Sequence, residues 1–140
     1  MKVFVDEGGY MPTKAHDTDA GFDLYAPDDF VVSDMAPAII DTKVHIQIPK
    51  GYVGMIKSKS GLNVKQNIQT EGVVDCGYRG SIVVKVYKHC GEPYKIHKGD
   101  KITQIVIMPI SDVNELEPVD SLDDFEETER NMGGFGSSGI

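Results

Sequence analysis

Arginine is almost missing from this chain: of its 140 residues, only Arg79 and Arg130 are arginine. Lysine does not fill the gap everywhere. Residues 111–129 ("SDVNELEPVDSLDDFEETE") hold nine acids and no Lys or Arg, whereas residues 1–110 balance 13 acids against 13 bases, and the net charge is −8. No basic face is large enough to offset phosphate repulsion, so nucleic acid is not an expected partner. The acidic run reads as a solvated connector. No apolar stretch approaches membrane-spanning length, and "MKVFVDEGGY" has no apolar signal core. No membrane partner is expected, and the expected location is cytoplasmic, or the host-cell interior if the chain is virally encoded. Cys76 and Cys90 form no CxxC pair and no zinc spacing with His16, His45, His89 or His97. Two reduced thiols are the simpler expectation, with a disulfide between them left open. Helical periodicity is scarce as well; "SGLNVKQ" offers a turn or two and reads equally as loop.

What is present is β-pattern. "KVHIQIP" alternates apolar and polar residues at Val44, Ile46 and Ile48, and "SIVVKVYKH" and "KITQIVIMPI" are rich in β-branched residues. "KVFV", "GFDLYA", "DFVVS" and "GYVGMI" add short strands between Gly- and Asp-bearing turns. The expected fold is therefore an all-β sandwich or barrel. Residues 1–119 form the expected β domain, and residues 120–140 an acidic connector with a Gly-rich arm. That arm ends "RNMGGFGSSGI", a stretch too rich in glycine to hold a fold of its own.

Four stretches break the strand pattern where a plain sandwich needs no break: "DAGFDLYA" (19–26), "KSKSGLNVK" (57–65), "GVVDCGYRG" (72–80) and "KGDKITQIV" (98–106). Singly, each is ordinary turn chemistry. Together, in order and followed by "RNMGGFGSSG", they resemble the five motifs of the trimeric deoxyuridine triphosphate nucleotidohydrolases (dUTPases). The resemblance spans residues 19–139 and implies a jelly-roll-like, distorted β-barrel with a flexible C-terminal arm.

The resemblance also implies a function. The family hydrolyses dUTP to dUMP and pyrophosphate, which limits uracil in DNA and supplies dUMP for dTMP synthesis. Asp75 matches the carboxylate that activates the attacking water, a role that needs an ionised group at hydrogen-bond distance. Tyr78 matches the tyrosine that lies against the deoxyribose and leaves no room for a 2′-hydroxyl. Gly72, Val73, Val74 and Val83 match the hairpin whose main chain reads uracil. Lys59, Ser60, Gly61 and Gln104 match the phosphate contacts. Asp23 matches the aspartate that meets Mg²⁺ through water, the ion being held chiefly by the triphosphate. Arg130, Phe135, Gly136, Ser137 and Ser138 match the arm that closes over nucleotide, with Phe135 stacked on the base and Arg130 on the γ-phosphate. A homotrimer with shared sites is implied too.

The chain departs from the family pattern in places. Lys59 stands where arginine is usual and supplies a point charge without the fork. Asn63 replaces a commonly small residue, and Asn131-Met132 follow Arg130 where glycine is common. Two rivals remain in view. A dCTP deaminase of the same fold needs a catalytic glutamate in the base pocket, and Glu71 is the only one nearby. A nucleotide-switched binding module would work through a protein partner, with the acidic run as its surface.

Overall fold

The computed structural model describes residues 1–111, 115–129 and 132. Ten strands and one helix follow the punctuation of the sequence: β1 (Lys2–Val5), β2 (Gly21–Tyr25), β3 (Phe30–Val32), β4 (Ala38–Asp41), β5 (Val44–Gln47), β6 (Tyr52–Lys57), α1 (Ser60–Gln66), β7 (Ile68–Val74), β8 (Val83–Lys88), β9 (Tyr94–Ile96) and β10 (Lys101–Pro109). Six strands form one sheet in the order β2-β10-β6-β7-β8-β4, and the ribbons β1-β5 and β3-β9 flank it. Every pairing is antiparallel. The chain thus adopts the expected all-β, jelly-roll-like architecture.

Alternation explains which faces close on the core. Val44, Ile46 and Ile48 point inward from β5 and its end, and Val84 and Val86 from β8, while His45, Lys85 and Tyr87 point outward. Leu24, Ile40, Ile68, Ile96, Ile102 and Ile105 complete a core of branched aliphatics. A register shift between Lys101 and Thr103 bulges β10 against β2, so that Ile102 and Thr103 are both buried in succession. The one buried lysine, Lys88, is satisfied by donating to the Gln66 carbonyl at the C-terminus of α1 (2.7 Å).

α1 forms where sequence pattern left helix and loop equal. Asn67 ends it in the left-handed conformation (φ 54°) and returns its N–H to Asn63 and Leu62 carbonyls. β4, β9 and most of β7 are additions to the expected strand set. After β10, residues 115–129 are exposed throughout, with one 3₁₀ turn at Leu122–Asp124 capped by Ser121. No helix among the described residues is long and apolar enough to cross a membrane. The free thiols of Cys76 and Cys90 agree with the reduced expectation.

Candidate functional site

Strand order puts three of the motif stretches side by side. On β10, Gln104 lies opposite Asp23 of β2 on one flank and opposite Lys57 of β6 on the other. Its amide Nε2 donates to the Ser58 carbonyl (3.1 Å), which ties β10 to the loop leading into α1. Gly21 makes room for this side chain, since a Cβ there would sit 2.7 Å from Gln104 Oε1. The same loop is fixed from β7: the Thr70 N–H donates to Ser58 Oγ (3.0 Å), and Ser58 Oγ donates to the Thr70 carbonyl (3.2 Å). Lys59 then occupies the cap position before α1 with extended backbone, and Ser60 and Gly61 open the helix in an exposed position.

Asp23 is the one buried carboxylate among the described residues. Lys59 Nζ donates to its Oδ1 (2.5 Å) and Lys101 Nζ to its Oδ2 (2.8 Å). Burial pushes the Asp23 carboxyl up, but the hydrogen bonds and charges of Lys101 and Lys59 outweigh it and hold the group below the usual carboxylate value. In return, the hydrogen bond and charge of Asp23 raise Lys101. Two ammonium groups around one carboxylate leave a surplus positive charge beside the Ser60 hydroxyl and the Gln104 amide. That surplus suits a polyanion. Lys101 had no role in the sequence reading, although it stands inside the quoted "KGDKITQIV".

A second constellation lies at the far end of β7. The β7–β8 hairpin pairs only from Ile68↔Lys88 to Thr70↔Val86. Beyond that, β7 turns to β6 (Lys57↔Glu71 through Gly54↔Val74), and β8 turns to β4 (Asp41↔Val83 through Ala38↔Val86). The two arms are drawn apart, and the inner backbone edges of residues 72–74 and 83–85 face each other without ladder pairing among the described residues. Val73 and Val83 are exposed at this opening.

The turn that follows closes on itself. The Tyr78 N–H donates to the Asp75 carbonyl (3.0 Å), and Tyr78 Oη donates to the Ser81 carbonyl (2.9 Å). Arg79 spends its guanidinium on the Cys76 and Tyr78 carbonyls, both at 2.7 Å. The Tyr78 ring lies across Gly80, where any Cβ would collide with it. Asp75 is exposed, and among the described residues no hydrogen bond or ion pair reaches its carboxylate. Its side chain remains available to an incoming group.

The two constellations are separated along the sheet. Val74 pairs with Gly54, three residues along β6 from Lys57, which is about 10 Å of strand. Beside the Ser58–Ser60 loop lies a cleft of about 340 Å³ lined by Lys57, Ser58, Ser60, Asn63, Gln69, Thr70 and Glu71. Glu71 is bound by Lys57 Nζ (2.7 Å), which holds its carboxyl below the usual value. A paired, ionised Glu71 does not suit the proton-shuttling role that the deaminase alternative requires. Arg130, Phe135, Gly136, Ser137 and Ser138 lie outside the described residues.

Among the described residues, no group of three or more His, Cys, Asp or Glu side chains is placed to hold a metal ion. A Mg²⁺ held chiefly by phosphate oxygens and water needs no such protein cage.

Comparison with known proteins agrees with this geometry. The dUTPase family profile matches residues 8–139. The deoxyuridine 5'-triphosphate nucleotidohydrolase of Saccharomyces cerevisiae is 40% identical over 130 residues, covering 92% of this chain and 86% of its own. The enzyme of that name from Candida glabrata is 38% identical over 134 residues, covering 95% and 91%. Among solved structures, a point mutant of the Staphylococcus bacteriophage 80alpha dUTPase with dUpNHpp superposes with a TM-score of 0.88 at 30% identity, covering 99% of this chain and 98% of its own. A dUTPase from phage phi11 of S. aureus, in which a structural Mg(II) ion is coordinated, superposes at 0.78 with 29% identity, covering 87% and 97%. Five motifs in order, the curled antiparallel sheet and these relatives lead to one conclusion: the chain belongs to the dUTPase family.

Proposed function

We propose that this chain hydrolyses dUTP to dUMP and pyrophosphate. The observation that carries the proposal is the splayed β7–β8 hairpin: among the described residues it presents unpaired backbone edges beside Tyr78 and an Asp75 carboxylate with no hydrogen bond or ion pair. Uracil offers a donor–acceptor edge much like a peptide strand, so the backbone of Gly72, Val73 and Val74 is suited to read it, with Val83 bounding the opening. Tyr78, pinned by Ser81 and backed by Gly80, presents its ring to the sugar and excludes a 2′-hydroxyl.

Asp75 holds and deprotonates the water that attacks the α-phosphate, as an exposed ionised carboxylate can. Lys59, Ser60, Gly61 and Gln104 bind the phosphates. A Mg²⁺ carried by the triphosphate would neutralise its charge and help orient the α-phosphate. Asp23 would meet that ion through water.

The separation of the two constellations favours a homotrimer in which one protomer's Asp75 hairpin meets another's Asp23–Lys59–Gln104 cluster. Residues 1–119 form the domain in this reading, and residues 120–140 the arm. Phe135 stacks on the base, Arg130 clamps the γ-phosphate, and Gly136, Ser137 and Ser138 complete the cradle, which excludes bulk water. The reaction removes dUTP, which limits uracil in DNA, and supplies dUMP for dTMP synthesis.

The test is pyrophosphate release from dUTP, dCTP, dTTP and UTP with Mg²⁺. Release confined to dUTP supports the proposal. Ammonia release from dCTP with the triphosphate left intact would support the deaminase alternative instead, and tight dUTP binding without turnover would leave a binding module.

A further inference from the structure

The turn that carries Tyr78 is tied to the N-terminal ribbon by the backbone of Ile82 and by the side chain of His45. We propose that His45 is a positioning residue for that turn, acting in its doubly protonated form; the consequence for nucleotide rests on the dUTP proposal above. His45 projects outward from β5, because alternation sends Val44 and Ile46 into the core. Its Nδ1 lies 2.8 Å from the Arg79 carbonyl oxygen, and its Nε2 lies 2.9 Å from Asp6 Oδ2. Both partners are acceptors only, a carbonyl on one side and an ionised carboxylate on the other. A neutral imidazole has one N–H, so it satisfies one partner and turns a lone pair toward the other. Only the imidazolium donates to both.

The surroundings from every packed element bear on that charge. Asp6 follows β1, and the Phe4 ring of β1 sits 5.7 Å from the imidazole, centroid to centroid. Asp41 of β4 adds negative charge. Lys2 and Arg79 line the same cleft and bring positive charge, but the Arg79 guanidinium is occupied by the Cys76 and Tyr78 carbonyls. The hydrogen bond to the Arg79 carbonyl and then that to Asp6 raise the imidazole, burial opposing.

The clamp adds a second anchor of the turn to the β1–β5 ribbon, at Arg79. Ile82 is secured twice over: its N–H donates to the Val44 carbonyl (2.8 Å), and its carbonyl accepts from Thr42 N (3.0 Å) and Thr42 Oγ1 (2.8 Å). Ser81 is held by Tyr78 Oη. Arg79, directly after Tyr78, is fixed to the β1–β5 ribbon through His45. Because the His45 pKa is raised on folding, the clamp is complete below about pH 6.5, the ordinary imidazole value. It is lost as pH rises through the higher folded value.

The experiment measures KM for dUTP and affinity for dUpNHpp between about pH 5.5 and 8.5, for the unmodified chain, His45→Gln and Asp6→Asn. Ionisation of the nucleotide is common to all three, so the differences between them decide. The expected result is a KM that rises about three- to tenfold toward alkaline pH in the unmodified chain, with kcat changing less. His45→Gln should lack that rise, and Asp6→Asn should move it to lower pH. Identical pH dependence in all three would overturn the proposal. If His45→Gln does not fold, the shift in Asp6→Asn decides alone.

The clamp is also read without nucleotide, by an NMR titration of the His45 ring nitrogens. Both nitrogens protonated at about pH 6.5, the ordinary imidazole value, support it. A neutral His45 ring at that pH overturns it. An absence of dUTP turnover would sink the dUTP proposal and leave this titration standing.

Discussion

Lys59 Nζ and Asp23 Oδ1 stand 2.5 Å apart, joining the first and second motif stretches through a carboxylate that solvent barely reaches. Lys101 completes the pair of cations on the other oxygen. Replacing Asp23 by Asn removes the charge that holds both lysines, and should cost about 1–2 kcal/mol of stability at neutral pH. The pH dependence has a definite sign. A carboxyl lowered on folding stabilises above its unfolded value, about 3.9, and that contribution fades as pH falls through the folded value. Thermal unfolding should therefore separate Asp23→Asn from the unmodified chain at pH 7 and bring the two together in strong acid. Equal separation at both ends would contradict the pairing.

Lys59 substitutions test what the point charge contributes. Lys59→Arg should preserve turnover, since a fork meets a carboxylate or a phosphate at least as well. Lys59→Met should raise KM for dUTP on the order of tenfold or more, while leaving the melting temperature within a few degrees. Steady-state kinetics paired with a melt decides it, and an unchanged KM in Lys59→Met would remove this residue from the phosphate site.

In the proposed site, sugar discrimination rests on Tyr78 and the glycine beneath it. Tyr78→Ala should cut the dUTP-over-UTP preference about tenfold to a hundredfold, mostly by admitting UTP. Gly80→Ala should push the ring from its seat and give the same direction of change. Competition kinetics with both nucleotides measure it. A preference untouched by either substitution would place the discriminating contact elsewhere.

Much of this was legible before the fold was known. Long β-branched runs with turn residues between them exposed β5, β8 and β10, and the motif stretches located Asp23, Lys59, Gln104, Asp75 and Tyr78 by number. β9 is three residues between Pro93 and His97, too short to show a period, and β4 follows Pro37 with its Ile39 exposed. Lys101 and His45 were invisible for another reason. Each acts through a partner distant in sequence, Asp23 and Asp6, and only pairing of strands brings those partners near. The splay of the β7–β8 hairpin was hidden likewise, because it arises from β6 and β4 competing for its two arms.

A buried hydroxyl pair holds the floor of the phosphate cluster. Thr103 Oγ1 donates to the Lys57 carbonyl (2.9 Å) and accepts from Thr70 Oγ1 (2.7 Å), with both threonines fully enclosed. Thr103→Val keeps the volume but leaves that carbonyl and the Thr70 hydroxyl unpaired. It should destabilise by about 1–3 kcal/mol, a fall of roughly 3–8 °C in melting temperature. Calorimetry showing no fall would mean that the pair is dispensable.

The central claim is that Asp75 activates water on dUTP, and the most direct measurement compares pyrophosphate release by the unmodified chain and by Asp75→Asn, alongside their affinity for dUpNHpp. Asparagine keeps the size and the exposed position but cannot accept the proton. The predicted result is a kcat lower by about 10²–10⁴ with affinity for the analogue changed by less than about tenfold. Turnover by Asp75→Asn at the rate of the unmodified chain would contradict the account.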